Sequence, residues 1–174
     1  HHDMTRNMVL AALFAALTAI GAFLQIPTGI VPITLQFLFT ALAGLLLGWK
    51  WGAVSQLLYV GIGLLGLPVF TQGGGIGYVL QPSFGFLLGL IPAAAVIGAL
   101  TARHHSHPAV FLAALVGDLV LYLVGVPSMY LILHVYMQSA KTFPALLAAM
   151  LVYVPGDTLK IIVVTALAPV LRRT

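Results

Sequence analysis

Residues 84–102 read F-G-F-L-L-G-L-I-P-A-A-A-V-I-G-A-L-T-A, nineteen positions without a single charge. An α-helix needs about 20 apolar residues to cross the hydrocarbon of a bilayer, so this stretch reads as a membrane span. Comparable runs lie on both sides of it: Met8–Leu24, Ile33–Gly48 and Trp51–Leu67 before, Pro108–Val126 and Ala145–Leu171 after. The expectation is an all-α polytopic membrane protein, a bundle of about six transmembrane helices. A β-barrel is disfavoured, because its strands alternate polar and apolar residues and these runs are unbroken. Composition agrees. The chain is 61% hydrophobic and 6% charged, with a mean hydropathy of +1.14, whereas soluble domains carry about 25% charged residues.

The basic residues orient the bundle. With the N-terminus inside, Arg6, Lys50, Arg103, Arg172 and Arg173 fall on one side and Lys141 alone on the other. Cytoplasmic loops collect Lys and Arg, so both termini are expected in the cytoplasm and the protein in the cytoplasmic membrane. Scattered singly between apolar runs, these residues account for the net charge of +4 as a topology signal and not as a nucleic-acid footprint. His1-His2-Asp3 reads as the end of an affinity tag before Met4, leaving residues 4–174 as one transmembrane substrate-binding domain. Other apolar runs follow the first with no cleavage signature between, so it reads as a retained span. Trp49-Lys50-Trp51 suits a tight turn at the headgroup layer, and Pro155-Gly156 predicts a kink or break in the last span.

Three outer loops are expected: Gln25–Pro32, Pro68–Ser83 and a segment around His134–Pro144. The second, P-V-F-T-Q-G-G-G-I-G-Y-V-L-Q-P-S, is long, uncharged, glycine-rich and aromatic. Loops of this length are usually functional or disordered, and Phe70, Ile76, Tyr78, Val79 and Leu80 argue against disorder. It reads as a lid or lining folded back into the membrane domain.

Enzyme and motor motifs fail on inspection. Gly75-Ile76-Gly77 lacks the third glycine and the strand–helix context of a dinucleotide fingerprint, and Gly44, Gly48 and Lys50 do not make a phosphate-binding loop. His104, His105 and His107 lack a neighbouring carboxylate and read as a solvated turn, so no metal and no cofactor is expected. Ser55, Ser83, Ser128 and Ser139 have no evident base. The chain contains no Cys, which excludes thiol chemistry and disulfides.

Three ionisable residues lie inside the spans: Asp118, Asp157 and Lys160. Each costs about 2.5–3.5 kcal/mol at mid-helix on translocon scales, so such residues mark functional sites by default. Asp157 and Lys160, three apart, share one helix face and can pair. An acceptor and a donor side by side in a low dielectric suit a urea-like group, or a carboxylate on the lysine with the aspartate as local counter-charge. The structural alternative is an ion pair joining spans, with Asp118 as a packing group.

Three motifs in chain order then resemble one family. Pro32-Ile33-Thr34-Leu35-Gln36, Leu67-Pro68-Val69-Phe70-Thr71 with the following glycines, Gly77-Tyr78 and Pro82, and Val154-Pro155-Gly156-Asp157-Thr158-Leu159-Lys160 are similar to the BioY family. Its members are biotin-binding S components of energy-coupling factor (ECF) transporters. The resemblance implies a six-helix protein that captures biotin from outside, working with a transmembrane coupling subunit and two ATP-binding cassette ATPases. It implies that Gly73, Gly74, Gly75 and Tyr78 cover the ligand and that Asp157 and Lys160 meet its polar head. Gln72 is the amide nearest the point where relatives carry an Asn. Asp118 and Tyr122 match a polar pair in relatives, and Gln36 and Gln81 are further candidates. Biotin's ureido ring would find an acceptor and a donor in the Asp–Lys pair, its thiophane ring and alkyl chain suit Phe70, Tyr78 and Tyr122, and exposed glycine N–H groups suit its carboxylate.

Ala11, Ala15 and Ala19, with Ala12 and Ala16 beside them, recur at a spacing that lets another helix approach closely. In the resembled family such a face docks the coupling subunit; internal packing is the alternative. Two rival functions stay open: an ion-coupled carrier for another small solute, and an intramembrane enzyme using Asp118 and Asp157 as an acid/base pair.

Overall fold

A computed structural model describes residues 2–26 and 33–172. Most of the expected first outer loop, Pro32 of its motif, and Arg173 lie outside the described residues. The order is α1 (His2–Phe23), β1 (Gln25–Ile26), β2 (Ile33–Thr34), α2 (Gln36–Leu64), a 3-10 turn (Ile76–Leu80), α3 (Phe84–Leu100), α4 (His107–Leu131) running into a π turn (Ile132–Tyr136), α5 (Phe143–Ala149), a 3-10 turn (Met150–Tyr153) and α6 (Val154–Arg172). β1 and β2 form a two-residue antiparallel ribbon, Gln25 opposite Thr34. Among the described residues, Met4–Phe23, Gln36–Leu64, His107–Tyr136 and Phe143–Leu171 are long and apolar enough to cross a membrane, and Phe84–Leu100 is a shorter apolar helix. This is a mostly helical, multi-pass membrane protein.

α2 is not one rod. Gly48 has φ 87° and ψ 176°, a left-handed conformation that costs glycine little and other residues much. The chain reverses there. A side chain on Gly52 would meet Gly44 at 2.8 Å, Thr40 bonds Gln56, and Gln36 bonds Tyr59. These pairs straddle Gly48 symmetrically, so residues 36–47 and 49–64 run antiparallel as a helical hairpin. The expected turn at Trp49-Lys50-Trp51 is therefore made by the residue just before it, and the helix resumes at Trp49.

Small residues set the neighbours. A Cβ on Gly44 would lie 2.3 Å from the Ala94 carbonyl oxygen, one on Gly89 3.1 Å from Leu121 and one on Gly85 2.3 Å from Ser128. Thus α3 is clasped between α2 and α4, backbone against backbone, as close packing of small residues allows in membranes. α4 passes the expected end at Val126 and carries Pro127 inside the helix. The last span breaks as Pro155-Gly156 suggested, with the 3-10 turn of 150–153 directly ahead of α6. The main core joins Phe14, Phe37, Leu42, Tyr59, Leu90 and Ile161 with their neighbours, and a second cluster gathers Val126, Met129, Leu133, Leu146, Met150 and Tyr153 under α5.

Candidate ligand-binding site

α6 starts at Val154, and its first turns carry Asp157 and Lys160 on one face. The Lys160 Nζ lies 3.5 Å from Asp157 Oδ1, with both side chains nearly buried. α4 brings Tyr122 to the opposite oxygen: its hydroxyl donates to Asp157 Oδ2 at 2.5 Å. Both carboxylate oxygens of Asp157 are thus engaged, which fixes its plane where it lines a cavity.

That cavity, a partly open cleft with about 70 Å³ of free volume, lies between α2, α3, α4 and α6. Gln36, Tyr122, Tyr153, Asp157, Lys160 and Thr34 supply its polar lining; Ile33, Phe37, Phe86, Leu90, Leu121 and Met150 supply the rest. A few convergent polar groups in a mostly apolar hollow is the usual composition of a small-molecule site. Of the residues singled out in the sequence, Asp157, Lys160, Tyr122 and Gln36 meet here. Asp118 stands one turn before Tyr122 and does not line this cavity; with Tyr122 and Asp157 it borders a second hollow between α4 and α6.

The glycine loop lies beside the site and is tied to it. Phe70 is fully buried, edge-on to Tyr59 with ring centroids 5.5 Å apart, and 4.7 Å from Tyr78. Its ring occupies the space over Gly63, where a Cβ would come within 2.1 Å of it. Gly75, at φ 99°, donates its N–H to the Gly63 carbonyl at 2.7 Å. Phe70 and Gly73 exchange backbone bonds, Gln25 Nε2 donates to the Thr71 carbonyl, and the Thr71 and Tyr78 hydroxyls lie 3.2 Å apart. Gly74 packs against the Leu67 and Gly63 carbonyls. Phe70, Gln72, Gly73, Gly74, Gly75 and Tyr78 therefore form an ordered structure on α2, outside the lining of the cavity. The link runs through Gln36: its Nε2 donates to the Tyr59 hydroxyl at 2.7 Å, which donates to the Val69 carbonyl at 2.8 Å.

Sequence reasoning missed Tyr59, Tyr153, Met150 and the apolar wall. Tyr153 stands one turn before Asp157, a spacing that could have found it; Phe86, Leu90 and Leu121 look like any other apolar span residues. Ala11 and Ala15 are buried within the chain at 1% and 5% exposure and Ala19 is half-buried, whereas Ala12 and Ala16 are exposed. α1 packs chiefly against this chain's own α2. His104, His105 and His107 are exposed.

Comparison with known proteins gives a consistent result. The chain is 53% identical over 141 residues to the "Probable biotin transporter BioY" of Lysinibacillus sphaericus, covering 80% of this chain and 72% of that protein. It is 38% identical over 170 residues to the biotin transporter BioY of Rhodobacter capsulatus, covering 92% and 90%. Its fold matches the crystal structure of the S-component for biotin from an ECF-type ABC transporter with a TM-score of 0.88 and 27% identity, over 100% of this chain and 94% of that one. The family model described as the BioY family matches residues 1–174. The chain belongs to the BioY family.

Proposed function

We propose that this protein is the biotin-capturing S component of an ECF-type uptake transporter and that the cavity between α2, α3, α4 and α6 holds the vitamin. The observation that carries the reading is the convergence of Asp157, Lys160, Tyr122 and Gln36 on one largely apolar cavity in a chain of this family. Asp157 and Lys160 take the ureido ring, one accepting from its N–H groups and the other donating to its carbonyl. The thiophane ring and alkyl chain lie along Phe86, Leu90 and Leu121. The glycine loop 73–78 closes over the outer end, with Phe70, Gln72 and Tyr78 carried on it, and Asp118 supports Asp157 from behind.

The bundle crosses the cytoplasmic membrane six times with both termini inside. Support comes from the reversal at Gly48, which turns one long apolar stretch into two passes, and from the five-to-one bias of basic residues. ATP hydrolysis belongs to two cassette ATPases, joined through a transmembrane coupling subunit. That subunit meets α1 on its outer face, where Ala12 and Ala16 are exposed beside the buried Ala11 and Ala15, with Ala19 at the edge. No covalent chemistry is assigned to the chain.

Calorimetric titration of the purified protein with biotin, biotin methyl ester and other vitamins tests the site. Saturable binding of biotin and of its ester is expected, because the ester keeps the ureido ring. Loss of the ester alone would put the carboxylate on Lys160, and binding of another vitamin in place of biotin would overturn the reading. For the partner, Ala16→Trp should bind biotin normally yet fail ATP-driven uptake in vesicles holding the whole complex. Ala15→Trp should lose folding and binding together.

A further inference from the structure

The ionisable groups between α4 and α6 do not balance. Asp157 and Lys160 cancel as an ion pair, and Asp118 is left over. Its side chain is 7% exposed, and its Oδ1 has no hydrogen-bond partner. It borders a hollow whose other walls include Leu115, Leu119, Leu151, Val154 and Ile161, all but Ile161 exposed on the outer surface. Asp157 and Tyr122 border the same hollow, and Lys160 and Tyr153 line the neighbouring cavity with Asp157. Among the described residues Lys160 makes its ion pair with Asp157 alone, and the Tyr122 hydroxyl is spent on Asp157. An ionised Asp118 would therefore place a second carboxylate against the first with no donor of its own. Two carboxylates on one mostly apolar hollow repel, which favours a proton on one of them, and an unpaired charge in apolar surroundings is far costlier than an unpaired neutral oxygen.

We infer that Asp118 and Asp157 hold one proton between them, with Asp118 the acid that donates to the Asp157 carboxylate. Asp118 is then a positioning residue: with Tyr122 and Lys160 it fixes Asp157 from three sides and leaves the cavity electrically neutral as a whole, as suits a neutral polar head. The inference holds whether or not that head is biotin's.

Infrared spectroscopy of the full chain at neutral pH, in a detergent without ester carbonyls, reads this directly. The chain carries three acidic side chains in all, Asp3, Asp118 and Asp157, so the carboxylic-acid region is nearly empty. A single protonated-carboxyl band, shifting in heavy water, is expected in the wild type and should vanish in Asp118→Asn. Asp157→Asn should move its frequency by changing the acceptor, which keeps the test informative if Asp118→Asn fails to fold. Absence of the band in the wild type, or a band untouched by both substitutions, overturns the proposal. So does a wild type without the band whose thermal stability rises with sodium against choline at fixed ionic strength, since a metal cation would then fill the place of the proton.

Discussion

Two buried polar clusters occupy this bundle, and they are built on opposite terms. In the first, Thr18, Thr40, Ser55 and Gln56 are all fully buried and all neutral. Gln56 accepts from Thr40 at 2.9 Å and donates to Thr18 and Ser55; the Thr18 and Ser55 hydroxyls donate to carbonyls of their own helices, and Thr40 shares its one hydrogen between Gln56 and the Gln36 carbonyl. In the second, Asp157 and Lys160 are an ion pair, and with Asp118 and Tyr122 they border open hollows and leave the Asp118 Oδ1 unpaired. A closed neutral network offers a ligand nothing, and serves to staple α1 to the α2 hairpin. An open charged one stabilises the fold poorly, because dehydrating ions is expensive, and its spare hydrogen-bonding capacity is what a polar ligand uses. Satisfaction, more than polarity, separates scaffold from site.

The contrast can be broken by substitution, and the largest effect is expected in the open cluster. Asp157→Asn and Lys160→Ala should each weaken biotin binding at least tenfold, from the loss of a charge-assisted hydrogen bond of about 1.5–3 kcal/mol, with insertion and folding retained. Calorimetry beside a thermal melt checks both halves; native affinity in both variants would make this pair a staple as well. A somewhat smaller loss is expected for Gly74→Val. Its Cβ would lie 2.2 Å from the Leu67 carbonyl oxygen, so the loop must move as a body. Proteolysis of the loop should quicken in this variant and be less slowed by saturating biotin than in the wild type.

Tyr59→Phe probes the connection between loop and cavity. It removes the bridge from Gln36 to Val69, and at about 1 kcal/mol per bond affinity should fall roughly fivefold with little change in melting temperature. The smallest effect on binding belongs to the closed cluster. Gln56→Leu should cost about 0.6 kcal/mol per interhelical bond, the average found in membranes, and appear only as a lower melting temperature. Biotin affinity altered more than about twofold in that variant would merge the two clusters into one device.

The sequence-legible part of this molecule is what bilayer physics writes locally. Apolar runs located the long helices, although Ala145–Leu171, read as one span, divides into α5 and α6, and the three costly charges fall on α4 and α6. Pro155-Gly156 marked a real break. What stayed hidden depends on residues distant in the chain. The doubling back of α2 is expected at Trp49-Lys50-Trp51, but that it rests on one glycine, Gly48 at φ 87°, is not. The loop's position is set by Phe70 filling the space over Gly63, a contact no periodicity foretells. The alanine spacing on α1 does not say which of two adjacent stripes faces inward; Ala11 and Ala15 are buried, Ala12 and Ala16 exposed.

The direction of synthesis falls differently on the two clusters. Gln56 emerges after Thr18 and Thr40, so the last polar group of the staple meets partners already made. Tyr122 precedes its acceptor Asp157 by 35 residues, and Asp118 precedes it by one turn more. Domains form N-terminal first during synthesis, so α4 must enter the bilayer carrying an aspartate whose partners the ribosome has yet to produce. A nascent chain stalled before α6 therefore displays a lone intramembrane acid, a mark by which membrane quality control can tell an unfinished copy from a finished one.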